Sequence, residues 1–269
     1  MKTTEKDELC QRVRRGLRAG EFALAFQGVY HIKTGALASA EALIRWLHPE
    51  YGTLLPDAFI CTVEDPKVAS DMTYFVIKSV CRQLGQWQRE GRPVFPIAVN
   101  VPPSVAMSEH FTQHVERIAR SNGITPGLLQ IELSEAEDAT RVLASKGLMA
   151  GLRELGVQIA IDDFGTGYSS LAMLSAMDID VVKLAKELLV EVPACPRACA
   201  VVSAMLNLLQ TLRLTVVVEG VETEAQAKWL AQWPHVLTQG FYYGRPTFGL
   251  ANLPGCKRAS VRHLELVSA

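Results

Sequence analysis

Two adjacent carboxylates, Asp162 and Asp163, carry the strongest chemical signal in the chain. They close the apolar, β-branched run 157–161, a pattern that predicts a strand buried on both faces. A loop with Gly165 and Gly167 follows, and Ser169 and Ser170 then offer N-caps for a helix. Acids at the end of a buried strand are costly to desolvate unless a cation meets them, so a metal ion is the first chemistry to test. Two other readings fail on the residues. Gly165-Thr166-Gly167 has the place of a dinucleotide-binding turn, but Ser170 stands where the third glycine belongs and two acids would face the pyrophosphate. Asp163-Phe164-Gly165 matches a kinase tripeptide, yet the chain has no Gly-rich loop, Val-Ala-Ile-Lys strand or His-Arg-Asp loop. A metal-bearing strand end in a barrel remains.

The elements that must position such a site follow from periodicity. A helix over 5–19 has acids near its start and Arg12, Arg14, Arg15 and Arg18 toward its end, a polarity that suits the helix dipole and a solvated face. The first strand, 22–30, carries Gln27 inside an apolar run; the turn Lys33-Thr34-Gly35 leads to a second strand, 37–46. There Glu41, Leu43 and Arg45 alternate onto one face. A short helix is expected over 56–64 and a longer one over 72–90. Further strands read at 94–99, ending at Asn100; at 128–133, with Glu132 and then Glu135; at 179–184, with Lys183; at 215–218, before Glu219; and at 236–240, with Gln239. Helices read over 198–212 and 224–233. Strands alternate with helices, and six consecutive strands end at or near Asn100, Glu132, Asp162/Asp163, Lys183, Glu219 and Gln239, a pattern that predicts an α/β barrel with one shared site at the strand carboxyl ends.

Composition limits the function classes. Net charge is −1, so no global basic field points to a DNA or RNA polymer, while local groups can still hold a small anion. No run of about 18 apolar residues predicts a membrane span. The N-terminus lacks a signal-peptide core, and six scattered cysteines fit a reduced, cytoplasmic protein. The pairs Cys195/Cys199 and His110/His114 have metal-like spacing but lack further ligands, so neither is read as a metal site.

Glu41, Asn100, Glu132 and Asp162 form a hard oxygen set suited to Mg²⁺ or Mn²⁺, and Asp163 and Glu219 remain for a second ion. Two such ions with Lys183 suit phosphodiester hydrolysis; glycoside hydrolysis needs neither the amide, the lysine nor so many acids. Glu41-Ala42-Leu43 with Arg45, Asn100, Glu132 with Glu135, the run 162–171, Lys183, Glu219-Gly220-Val221-Glu222-Thr223 and Gln239-Gly240 together resemble the EAL-domain cyclic-di-GMP phosphodiesterases, over roughly residues 12–250. Residues 1–11 then begin the N-terminal helix and 251–269 form a tail.

The resemblance implies a single-domain TIM-like (β/α)8 barrel with a modified first strand, and a bacterial second-messenger enzyme that hydrolyses cyclic-di-GMP to linear pGpG, working as a homodimer. Ca²⁺, which prefers longer bonds and more ligands than a site shaped for Mg²⁺, is expected to inhibit it. By the same resemblance, Glu41, Asn100, Glu132 and Asp162 hold one metal, and Asp162, Asp163 and Glu219 the other. Lys183 meets the attacking water, Gln239 orients water or substrate, and Gln27, Leu43 and Arg45 contact the dinucleotide. Glu135 steadies the 163–170 loop. The alternative is a weak or inactive cyclic-di-GMP receptor or protein-interaction module, because the chain departs from the family pattern in places. Lys183-Leu184-Ala185 replaces Lys-Ile-Asp, Phe26-Gln27-Gly28 replaces Tyr-Gln-Pro, Val101-Pro102-Pro103-Ser104 follows Asn100, and residues 61–67 drift while keeping Glu64. None of these removes a ligand. Without an aspartate at 185, Lys183 is expected to be less firmly fixed and easier to deprotonate.

Overall fold

The computed structural model of the chain describes residues 3–134, 145–167, 174 and 178–256. Among the described residues ten strands form one sheet: β1 (Phe22–His31), β2 (Leu37–His48), β3 (Gly52–Leu54), β4 (Ile97–Asn100), β5 (Leu129–Ser134), β6 (Gln158–Phe164), β7 (Val181–Leu184), β8 (Thr215–Val218), β9 (Leu237–Thr238) and β10 (Thr247–Phe248). Strands β2, β4, β5, β6, β7, β8 and β9 run parallel in that order, and β1 closes the barrel by pairing antiparallel with both β2 and β9. The reversal of β1 follows from its connection. Gly35 adopts φ 65°, and the turn closes through His31 N–H to Ala36 O at 2.9 Å, leaving no length for a crossover helix. This is the modified first strand that the family resemblance implies.

The barrel interior is built in layers. Val29, Ala160, Val181 and Val217, with Leu237, form a small apolar floor. Two residues further toward the carboxyl end, on the same face, β6, β7 and the end of β8 present Asp162, Lys183 and Glu219. The same parity puts Asn100 and Glu132 in the upper layer, where they are direct partners across β4 and β5, and Gln27 lies opposite Glu41 across β1 and β2. Helices Pro66–Arg89, Phe111–Ser121 and Pro196–Thr211 pack residues such as Ile77, Val80, Phe111 and Leu206 onto the outer face. The helix Thr3–Ala19 sits on a second cluster of Val13, Phe22, Trp46, Phe59 and Val68, beyond the rim of β1 and β2.

Boundaries differ from the sequence reading where local chemistry intervenes. The long helix starts at Pro66, because the Asp65 side chain caps Lys67 N–H at 2.8 Å and Val68 N–H at 3.1 Å. Strand β4 begins at Ile97 instead of residue 94, since Pro96 has no N–H to pair. Residues 56–64 form two 3-10 turns in place of one helix, and β3 and β10 are short additions to the sheet edge. Among the described residues no helix is long and apolar enough to cross a membrane.

Candidate active site

Lys183 is the centre of the polar layer. Its side chain is 2% exposed, and Nζ lies 2.8 Å from Glu219, 2.9 Å from Asp162, 3.1 Å from Glu132 and 3.3 Å from Glu41. Burial opposes the ammonium, but the four carboxylates outweigh it and hold Lys183 well above the usual lysine range. The expectation of a loosely held, easily deprotonated lysine is therefore overturned. Four acids converge on it without any help from residue 185. Ala185 is itself fully buried just past the end of β7, its N–H donating to Phe164 O at 3.2 Å.

One ammonium cannot neutralise four carboxylates, and the acids divide accordingly. Burial raises Glu41, but Lys183 and hydrogen bonds from Gln239 and Asn100, both at 2.8 Å, overcome it and leave Glu41 below its ordinary value. Glu132 goes the other way: burial and the charges of Glu41, Asp162 and Glu219 push it well above the carboxylate range. Glu219 is pushed up to about 7, mainly by burial. Burial and the neighbouring Asp162 raise Asp163.

The acids form two overlapping triads, Glu41/Glu132/Asp162 and Asp162/Asp163/Glu219, each with ligand oxygens within 4.8 Å of one another. Within them, Glu132 Oε2 is buried with no hydrogen-bond partner, and Asp162 Oδ1 meets the ammonium only outside a hydrogen-bonding angle. Buried oxygens left without donors fit a hard divalent cation as the missing partner. Asp163 reaches its triad at a local irregularity. The β6–β7 register shifts between Ile161 and Phe164, and Asp163 takes φ 55°, a left-handed conformation unusual for a residue other than glycine. Strain held at such a position is the kind that functional sites keep.

The other expected residues are placed as follows. Gln239 Nε2 bridges Glu41 Oε2 and Gln27 Oε1, the latter at 3.3 Å, and Gln27 in turn donates to Gly244 O at 3.3 Å. Leu43 lines an apolar cavity of about 390 Å³ that also reaches Asn100 and Glu132. Arg45 shares the Glu41 face of β2 and donates to Ile44 O at 2.9 Å; it touches none of the carboxylates in the cluster. Glu135 and the part of its loop from 168 to 170 lie outside the described residues. Over the carboxylates opens a cavity of about 270 Å³, with Lys186, Glu222 and Phe241 on its wall. Of these, Glu222 was visible in the sequence as part of the 219–223 motif, but Lys186 and Phe241 were not singled out.

A sequence model of the EAL domain matches residues 10–246. The cyclic di-GMP phosphodiesterase NbdA of Pseudomonas aeruginosa is 32% identical over 246 residues, covering 91% of this chain but only 31% of that protein. The uncharacterized protein Mb1392c of Mycobacterium bovis is 34% identical over 242 residues, covering 88% of this chain and 79% of that one. Among solved structures, the c-di-GMP complex of the PaMucR phosphodiesterase superposes with a TM-score of 0.81 at 32% identity, covering 89% of this chain and 97% of that one. An EAL domain protein from Listeria monocytogenes gives a TM-score of 0.76 at 26% identity, covering 88% and 93% of the two chains. The match runs through nearly the whole barrel and through every polar strand end described above: the chain belongs to the EAL domain family.

Proposed function

We propose that the chain is a divalent-metal-dependent phosphodiesterase that hydrolyses cyclic-di-GMP to linear pGpG. The observation that carries this reading is the under-neutralised carboxylate layer: four acids on one buried ammonium, with Glu132 Oε2 left without a donor. In this reading Glu41, Asn100, Glu132 and Asp162 hold one Mg²⁺ or Mn²⁺, and Asp162, Asp163 and Glu219 a second. Bound there, such ions supply Lewis acidity to a phosphoryl oxygen and make water easier to deprotonate.

The chain's own residues do the rest. Lys183, fixed by its carboxylates, keeps a positive charge beside the reacting oxygens, where charge builds up in the transition state. Gln239, braced between Glu41 and Gln27, presents its remaining amide capacity to water or substrate. Leu43 and the apolar cavity beside it offer a surface for a guanine base, with Arg45 and Gln27 as polar contacts. A water oxygen bonds to phosphorus, the bond from phosphorus to the 3′ oxygen breaks, and that oxygen leaves as a hydroxyl. The water's second proton passes to solvent, and a 5′-phosphate remains on the linear product. Glu135 is assigned to steadying the loop after Asp163, and the working form to a homodimer coupled to the site through that loop.

The departures at 26–28, 61–67, 101–104 and 185 leave every proposed ligand in place. Incubating the pure protein with cyclic-di-GMP and Mg²⁺ or Mn²⁺ and resolving the products by chromatography tests the assignment. Linear pGpG is expected; binding without conversion would make the chain a receptor instead.

A further inference from the structure

We propose that Lys186 binds the second, non-scissile phosphodiester of the cyclic dinucleotide; the assignment rests on the phosphodiesterase reading above. Lys186 is the one basic side chain among the described residues on the wall of the 270 Å³ cavity. The other lysine of the site, Lys183, is buried beneath it and committed to four carboxylates. Lys186 is exposed and makes no side-chain ion pair or hydrogen bond with any described residue.

Its position is set by the backbone. Lys186 opens the 3-10 turn Lys186–Leu189 immediately after Ala185, and the loop after β8 presses against its base. At Gly220, φ is 66°, and a Cβ there would lie 2.3 Å from Lys186 Cβ, so only glycine allows this approach. The contact holds the stem of Lys186 against the Glu219-Gly220 turn, on the wall of the cavity.

Charge then decides what the Lys186 ammonium meets. The substrate carries two phosphodiesters, and only one can sit over the carboxylate layer where the reaction takes place. The other must lie elsewhere in the cavity, whose wall also offers Gln27, Glu222 and Phe241. A phosphate there is repelled by Glu222 unless a cation intervenes. Arg245 is stacked on the Phe241 ring at 4.1 Å, and Lys186 is the basic residue that lines the wall itself without a side-chain partner among the described residues. The non-scissile phosphate has the same charge in substrate, transition state and product. A contact to it therefore strengthens binding throughout without favouring the chemical step.

Steady-state kinetics of Lys186→Met, Lys186→Arg and Lys78→Met test this at saturating metal. Lys78 is an exposed lysine on the Pro66–Arg89 helix, and its substitution controls for lost net charge. Lys186→Met should raise KM and the inhibition constant of added pGpG by about tenfold each, with kcat changed by less than about twofold. Lys186→Arg should restore both constants, and Lys78→Met should leave them at wild-type values. A KM within about twofold of wild type in Lys186→Met, an equal rise in Lys78→Met, or a loss confined to kcat would overturn the assignment. A wild type that neither binds nor cleaves cyclic-di-GMP would refute the phosphodiesterase reading itself, and this assignment with it.

Discussion

Replacing Lys183 by methionine removes the ammonium that four carboxylates of the layer contact while keeping a similar shape. In the metal-free protein Glu41, Glu132, Asp162 and Glu219 would then face one another with no cation within the 2.8–3.3 Å that the ammonium now spans. Removing one partner of a buried ion pair costs about 3–5 kcal/mol. The acids cannot exceed that by much, because they take up protons instead; Glu132 and Glu219 are already raised in the wild type. At roughly 2–4 °C per kcal/mol, the melting temperature in EDTA at about pH 8 should fall by roughly 6–20 °C. The loss should shrink toward about pH 6, where protons replace the ammonium, and saturating Mn²⁺ should recover most of it. Differential scanning fluorimetry of both proteins with EDTA and with Mn²⁺ measures all three effects. A variant that melts within about 2 °C of wild type in EDTA at about pH 8 would refute the claim that Lys183 is the counter-charge of the layer.

The remaining predictions concern the same layer. Glu41→Ala and Asp162→Ala should each cut turnover of cyclic-di-GMP at least about a hundredfold while keeping the barrel, as circular dichroism and a product assay would show. Glu219 has a folded value of about 7 against an ordinary 4.5, so its stabilising contribution is present below about 4.5 and lost as pH rises through 7. Glu132 and Asp163 shift in the same direction, whereas Glu41 is lowered and matters only at more acid pH. The metal-free melting temperature should therefore fall between about pH 5 and about pH 8, and saturating Mn²⁺ should flatten the slope; a metal-free curve that rises over this window would contradict the burial account. Ala185→Asp should leave kcat within about twofold and lower metal-free stability, since it adds a buried acid to a lysine already held by four; a several-fold gain in kcat would show that Lys183 needs that extra partner.

The barrel and its site were legible wherever a strand is an apolar run broken by one polar residue at its carboxyl end. Lys183 in Val181–Leu184 and Glu132 in Leu129–Ser134 are such cases, because alternation alone sends the polar side chain inward above the floor residues. The two-residue strand Thr247–Phe248 carries no periodic signal and was missed. The start of the Pro66–Arg89 helix was written in Asp65-Pro66, a capping signal that hydrophobic spacing from residue 72 overlooks. Ionisation was the least legible property. A sequence names Lys183, but four acids from four different strands or strand ends must converge before its charge state is decided. Lys186 reads as any surface lysine until the close approach of Gly220 places it at the cavity.

Hydrolysis of cyclic-di-GMP in ¹⁸O-enriched water, followed by mass spectrometry of the product, tests the central claim most directly. Attack by one water at phosphorus predicts pGpG carrying a single ¹⁸O, located in its 5′-phosphate, formed only when Mg²⁺ or Mn²⁺ is present. Unlabelled pGpG, label at the 3′ hydroxyl, or cyclic-di-GMP recovered intact after saturating the protein would contradict it.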